Sequence, residues 1–393
     1  MNILHMSPYY PSPQTNHAGG VCMGKEIETL RKHNKVYILT FLASDYDRKL
    51  AAAHPDKDCS YVSIKKYNRI LHVIMAPLFP AYFAARTSVR YTLKLLYCLN
   101  KYKIDAVHME YTSMGQYIWL IRRFFPNIKI CLVEHDVTAQ SYERKLEKMS
   151  GMLRWYYFWE CRKIRKHEGI YCRNADVVLT FNEKDKKLLE QYYGTENTHV
   201  MAPYCGFDEE KIADVDIHKN KEYANLCFLG QMGREENYIA AQRLIHIGQR
   251  VQRIIPELHI YIVGNDPPQE LSNEQNEFIT VTGYVEDVDI YLERAQLAVF
   301  PLTLGAGIKV KVLRSLALGT PVITGKIGAE GIDEDGEVIS LAETDEDYVN
   351  MIVELIRSPL KCREISEKSR RHYLNHFIWS RSDELLNKLY QER

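Results

Sequence analysis

Apolar and polar positions along the chain switch between two spacings. Short continuous apolar runs recur at 2–6, 36–41, 104–109, 128–134, 175–182, 226–230, 259–264, 278–282, 297–300 and 320–324. Runs this short, rich in β-branched residues, predict buried strands. Stretches whose apolar residues return at helical spacing lie between several of them, at 21–32, 138–172, 183–192, 237–255, 287–295 and 308–318. Three more (345–357, 360–373 and 380–391) close the chain. Strand–helix–strand alternation predicts right-handed crossovers, hence parallel sheets covered by helices and an α/β fold.

One unit of this alternation carries candidate chemistry. The strand 297–300 runs into a loop containing Gly305-Ala306-Gly307, and a helix follows with apolar Ile308, Val312, Leu313, Leu316 and Ala317. Gly319 ends it before the strand 320–324. A strand–glycine loop–helix unit aims unpaired backbone N–H groups and the positive end of a helix dipole at one point, which suits an anion. Lys309 and Lys311 add positive charge there. The same glycines also fit an ordinary tight turn. Gly19-Gly20, after the first strand, is open to the same two readings: a turn, or bare backbone that a ligand can approach. His135 follows the strand 128–134, and ligands of doubly wound sheets bind beyond the carboxyl ends of strands. A histidine there also fits a purely structural hydrogen-bonding role. His108 and Glu110, which end the preceding strand, rank second.

Composition narrows the field. At 393 residues the chain fits two domains of roughly 180 residues each. Its 46% hydrophobic and 26% charged residues are those of a globular protein, and a net charge of zero argues against nucleic acid as a partner. The nine cysteines are scattered and never form Cys-x-x-Cys, which supports neither a disulfide framework nor a metal site. The chain enters its first strand with no charged-then-apolar leader, and the most apolar run, 70–85, is broken by His72, Pro77 and Pro80. It is shorter than the roughly 20 residues a spanning helix needs, so the expected location is the cytoplasm. Two stretches rich in aromatic and basic residues, 77–102 and 145–167, suggest peripheral contact at the inner face of a membrane. The second centres on Trp155-Tyr156-Tyr157-Phe158-Trp159, among Arg154, Arg162, Lys163, Arg165 and Lys166. A long helix packed on its own domain with a solvated basic edge is the competing reading, because five consecutive aromatics cannot share one helical face.

The pattern Pro301-Leu302 … Gly305-Ala306-Gly307-Ile308-Lys309-Val310-Lys311-Val312-Leu313 … Ala317-Leu318-Gly319-Thr320-Pro321-Val322-Ile323, followed by Gly328-Ala329-Glu330-Gly331, resembles the donor-site signature of family 4 (group 1) glycosyltransferases. The resemblance implies the GT-B architecture: two Rossmann-like domains facing a central cleft, with a C-terminal helix crossing back to the first. On this chain that means 1–205 as the acceptor-side domain, 206–375 as the nucleotide-sugar domain and 376–393 as the returning helix. The segment 200–208 matches the place where relatives leave the first domain, and polar 209–222 reads as the linker. The resemblance further implies transfer of a sugar from a nucleoside-diphosphate sugar to a glycan or lipid-linked acceptor hydroxyl. Retention of anomeric configuration, no cofactor and no metal come with it, in surface polysaccharide or glycolipid assembly. His135, followed by Asp136, matches the family's cleft histidine, which contacts the transferred sugar. Lys311 and Arg234 join it as catalytic candidates. Gly19, Gly20, Gly230, Tyr284, Gly305, Ala306, Gly307, Ile308, Lys309, Arg314 and Glu330 form the expected donor-binding set, Tyr284 either stacking on the nucleobase or covering the sheet edge.

Two positions depart from the family pattern. Arg314 stands where relatives carry a glutamate for the ribose hydroxyls, and a guanidinium offers donors but no acceptor. It suits phosphate instead. Arg234 is shifted by a few positions from the family's diphosphate-binding pair. These departures keep a second class of function in play, a catalytically silent nucleotide-sugar-binding protein of the same fold. An epimerase or a phosphorylase on this scaffold is a third reading, although no cofactor-lysine motif for a phosphorylase is present.

Overall fold

The computed structural model describes every residue except 16, 65–74, 76, 78, 207, 215, 217–220 and 392–393. Parts of the apolar run 70–85, the stretch 77–102 and the linker 209–222 therefore lie outside the described residues. The chain divides into two units: Met1–Gly206 with Ser380–Arg393, and Phe207–Trp379.

The first unit is built on seven parallel strands: β1 (Asn2–Ser7), β2 (Lys35–Leu42), β3 (Cys59–Ser63), β4 (Ala106–Glu110), β5 (Lys129–Glu134), β6 (Val177–Thr180) and β7 (Thr198–Val200). Their order, β3-β2-β1-β4-β5-β6-β7, reverses direction between β1 and β4. A reversal of this kind opens a crevice at the strands' carboxyl ends where ligands bind. The central strands β4 and β5 are buried almost throughout, which is why they read as unbroken apolar runs. Helix α1 (Ala18–Arg31) follows β1, and α2 (Val89–Lys101) precedes β4. Gly19 and Gly20 lie within the first turn of α1 and not in a loop before it, because the His17 imidazole caps the helix by accepting from Gly20 N at 3.0 Å.

The expected long helix 138–172 is two helices, α3 (Thr138–Lys148) and α4 (Gly151–Asn174). Extended backbone at Met149 and Ser150 and a positive φ of 57° at Gly151 break it. No side chain of its own caps α3. The buried Glu168 carboxylate of α4 does so, accepting from Thr138 N at 2.7 Å and Ala139 N at 3.2 Å.

The second unit has six parallel strands: β8 (Asn225–Leu229), β9 (His259–Val263), β10 (Ile279–Gly283), β11 (Leu297–Phe300), β12 (Val322–Thr324) and β13 (Ser340–Leu341). The order β10-β9-β8-β11-β12-β13 repeats the same reversal, here between β8 and β11. Helices α5 (Glu235–Gln252), α6 (Asp289–Arg294) and α7 (Val310–Ala317) flank it. The last helix, Trp379–Gln391, carries the chain from the second unit into the first. Among the described residues no helix is long and apolar enough to cross a membrane.

Candidate functional site

In the second unit the turn from β11 into α7 is shaped by two glycines that other residues cannot replace without strain. Gly305 has φ 117° and Gly307 φ 65°. Lys309 is still extended (φ −99°, ψ 94°), so α7 begins at Val310, two residues later than its apolar spacing suggests. Among the described residues the backbone N–H groups of Ala306, Gly307 and Ile308 have no hydrogen-bond partner. The loop therefore combines bare amides with the N-terminus of α7, at the sheet's point of reversal.

The basic residues around this loop are held by protein groups. Lys311 is half-buried, with Nζ donating to Asn237 Oδ1 of α5 and lying 4.9 Å from the Phe228 ring centre and 5.7 Å from that of Phe300. Burial, reinforced by the charges of Arg234 and Lys309, pushes its pKa down to about 7. Lys309 Nζ donates to Gly307 O at 2.5 Å and stands 3.9 Å from the buried Glu330 carboxylate. Arg234, at the N-cap of α5, pairs with Glu236. Arg314, which the sequence reading turned toward phosphate, donates from Nε to Asp289 Oδ1 at 2.5 Å. Asp289 Oδ2 in turn accepts from Lys211 Nζ at 2.8 Å. Burial alone would raise the Asp289 pKa, but Arg314 and Lys211 hold it below its ordinary value. Gly230 follows β8 and lies against Asn237, whose side chain a Cβ there would meet at 2.9 Å, and Tyr284 is largely exposed after Gly283.

In the first unit His135 follows β5 and is held on three sides. The Tyr111 ring stacks on it at 3.7 Å with 6° between planes, and Phe181 meets it edge-on at 4.9 Å. His135 Nε2 lies 2.7 Å from Oε2 of the fully buried Glu110. Tyr111 takes φ 68°, a sparsely populated region for a non-glycine residue. Its hydroxyl pairs with that of Tyr9, and both press on Gly19, where a Cβ would stand 2.1 Å from the Tyr111 oxygen and 2.8 Å from the Tyr9 oxygen. At Gly20 a Cβ would meet the Thr15 methyl at 2.4 Å. Protein groups thus account for glycine at both positions. The structure brings Gly19, Gly20 and His135 together at the carboxyl ends of β1, β4 and β5. Separately, it brings Gly230, Arg234, Gly305–Lys311 and Glu330 to the corresponding end of the second sheet. Asn237, Asp289 and Tyr111 went unread because their roles depend on partners distant in sequence. The one local hint was the polar residue closing some of the apolar strands, as Glu110 closes β4 and Glu134 closes β5.

Two parallel-sheet units, each reversing at its centre, define a GT-B protein. The family model described as Glycosyltransferase Family 4 matches residues 28–211, and that described as Glycosyl transferases group 1 matches 224–358. The chain belongs to the group 1, family 4 glycosyltransferases. Among solved structures it is similar to sucrose-phosphate synthase from Thermosynechococcus elongatus, at 16% identity and TM-score 0.72, covering 100% of this chain and 99% of that one. It is also similar to the Anabaena protein HepE in complex with UDP, at 14% identity and TM-score 0.68 with both chains covered in full. WaaG, a glycosyltransferase involved in lipopolysaccharide biosynthesis, matches at 13% identity and TM-score 0.65, with 98% of each chain covered. At these identities the likeness shows the fold. No curated protein sequence matches the chain.

Proposed function

We propose that this glycosyltransferase moves a sugar from a nucleoside-diphosphate sugar to an acceptor hydroxyl with retention of configuration and without a metal. The observation that carries this reading is the loop at 306–308, whose unpartnered amides precede the N-terminus of α7. As the glycosidic bond breaks, negative charge develops on the diphosphate. Fixed N–H groups, the helix dipole and the Lys311 ammonium stabilise that charge without reorganising. A low Lys311 pKa suits this role, because the buried amine gains a proton when the anion arrives. His135 contacts the transferred sugar, and the family resemblance supports both that role and retention. The HepE neighbour was solved with UDP and glucose and with UDP-glucose, which favours a uridine nucleotide here.

The acceptor belongs to surface polysaccharide or glycolipid assembly in this reading, with the enzyme resting on an anionic membrane. Helix α4 supports that placement. Its first half exposes Met152 (89%), Trp155 (68%), Tyr156, Phe158 and Trp159, with Tyr157 turned toward Tyr142 of α3, and fully buried positions begin at Glu160. Arg162, Arg165, Lys166 and Arg173 of the same helix line an open cavity of about 530 Å³. Within α2, Val89, Leu93 and Tyr97 form a second exposed apolar stripe. Aromatics entering the interface with cations at headgroup level describe a peripheral helix.

A thermal-shift panel of nucleotides and nucleotide sugars, followed by product analysis with the stabilising donor, tests the function. Selective stabilisation by one nucleoside-diphosphate sugar, turnover unaffected by EDTA and a retained anomeric product are expected. Binding without hydrolysis or transfer across all donors supports the silent alternative, and stabilisation by none removes the proposal.

A further inference from the structure

The first unit buries a layer of ionisable side chains beneath His135. His5 of β1 and His108 of β4 lie directly opposite in register, their rings stacked at 5.4 Å. Glu110, two residues on from His108, has three imidazole neighbours. Its Oε1 is 3.0 Å from His5 Nε2 and 3.3 Å from His108 Nε2, and its Oε2 is 2.7 Å from His135 Nε2. His108 continues the chain, with Nε2 2.9 Å from Glu26 Oε2 of α1 and Nδ1 2.7 Å from the Tyr390 hydroxyl. His5, Glu26, His108 and Glu110 are all fully buried, whereas a tenth of the His135 side chain is accessible. Among the described residues His135 Nδ1 has no hydrogen-bond partner.

We propose that Glu110 is the positioning residue for His135, accepting from its Nε2–H and so presenting the Nδ1 lone pair of the stacked ring as the acceptor for a sugar hydroxyl. The inference rests on the assignment of His135 to the sugar.

An ionised carboxylate can only accept, so in a neutral imidazole it fixes the proton on the nitrogen it touches. Glu110 stays ionised in spite of its position. Burial alone would raise its pKa, but the hydrogen bonds from His108, His135 and His5 outweigh burial and hold it well below the ordinary range. The other buried carboxyl, Glu26, is pushed up to about 7, first by burial and then by the charge of Glu110. Ionisation is thereby concentrated on Glu110, the carboxylate that reaches His135. The Tyr111 stack and the Phe181 edge fix the ring plane, and Glu110 fixes the rotation within that plane.

The test uses the full chain labelled with 15N-histidine, the His135 resonances being assigned by their loss in His135→Ala. In the wild type, Nε2 is expected to be protonated and Nδ1 bare. Glu110→Gln preserves volume, but one carbonyl oxygen cannot accept from both His5 and His135, so the Nε2–H form of His135 should lose its dominance. Glu110→Asp, which retracts the carboxylate by one methylene, gives the same readout if the Gln variant does not fold. With the donor found by the nucleotide-sugar panel, Glu110→Gln should lower kcat at least ~10-fold, the scale of losing one hydrogen bond to a charged group. KM should stay within about twofold, and the variant should add nothing in a His135→Ala background, as expected of groups acting as a unit. A wild-type His135 protonated on Nδ1 overturns the inference, as does a tautomer unmoved by Glu110→Gln. Because ligand atoms of His5, His108 and Glu110 lie within 4.8 Å of one another, stoichiometric divalent metal in the purified protein would also overturn it. If the tautomer depends on Glu110 while His135→Ala turns over normally, the sugar assignment fails and the positioning contact stands.

Discussion

Lys311 carries an ammonium into a site where burial opposes its charge. Truncating it to Ala should lower turnover by ~10²-fold or more, the loss associated with removing one preorganised donor. Steady-state kinetics with the identified donor check this, and unchanged kinetics would remove the phosphate role. A pH dependence follows with a definite sign. In the unliganded protein the amine is half deprotonated near pH 7, since its pKa is pushed down to about 7. A bound diphosphate favours the protonated form and raises that pKa. Nucleotide affinity should therefore be level below pH 7 and fall above it, by up to about tenfold per unit until the pKa of the complex is reached. Calorimetry of UDP binding at pH 8, in two buffers of different ionisation enthalpy, should show proton uptake approaching one per site. Lys311→Met should abolish that uptake.

At the scale of elements, the β11–α7 turn depends on backbone that a side chain would strain. Gly305→Ala, at φ 117°, should destabilise the second unit by roughly 1–3 kcal/mol and weaken nucleotide binding, because the amides it orients would move. Thermal melts and titration with UDP measure both effects. Helix α4 offers a different test. Trp155→Ser with Trp159→Ser should reduce co-sedimentation with anionic vesicles several-fold and leave the melting temperature unchanged, since neither ring is buried. The same elements show what the sequence made legible. The buried strands β4, β5 and β11 announce themselves, because burial on both faces demands an apolar residue at every position. The strands β3, β7 and β13 went unread: they are short or partly exposed, and Cys59–Ser63 carries no periodic signal. The break between α3 and α4 was hidden because its one local signal is Gly151, at φ 57°, and a lone glycine inside a helical pattern does not by itself end a helix. The glycines and lysines of the donor loop could be read locally, whereas the pairing of Arg314 with Asp289 could not.

Across the whole molecule, the chain's last helix belongs to a unit whose other residues all precede the second unit in sequence. Ser382 donates to Ala202 O at 3.0 Å, Lys32 pairs with Asp383 at 2.6 Å, and Leu386 and Tyr390 are buried. The Tyr390 hydroxyl meets His108, whose pKa lies well above the ordinary value: burial opposes its charge, but Tyr390, Cys131 and Glu110 outweigh burial. The helix is thus tied to the same polar layer that supports His135. Tyr390→Phe removes that hydroxyl and leaves the ring, so the packing loss is small and the hydrogen bond is isolated. A buried hydrogen bond to a charged partner is worth about 1.5–3 kcal/mol, and for a unit of this size that corresponds to a drop of ~3–10 °C in the transition of the first unit. UDP affinity is the internal control, since the amides of 306–308 and Lys311, which carry the diphosphate in this reading, lie in the second unit and should be indifferent to the change. A melting shift with affinity preserved locates the helix's contribution in the first unit. An unshifted melt would mean that the hydroxyl contributes nothing and that His108 is satisfied by its carboxylates alone.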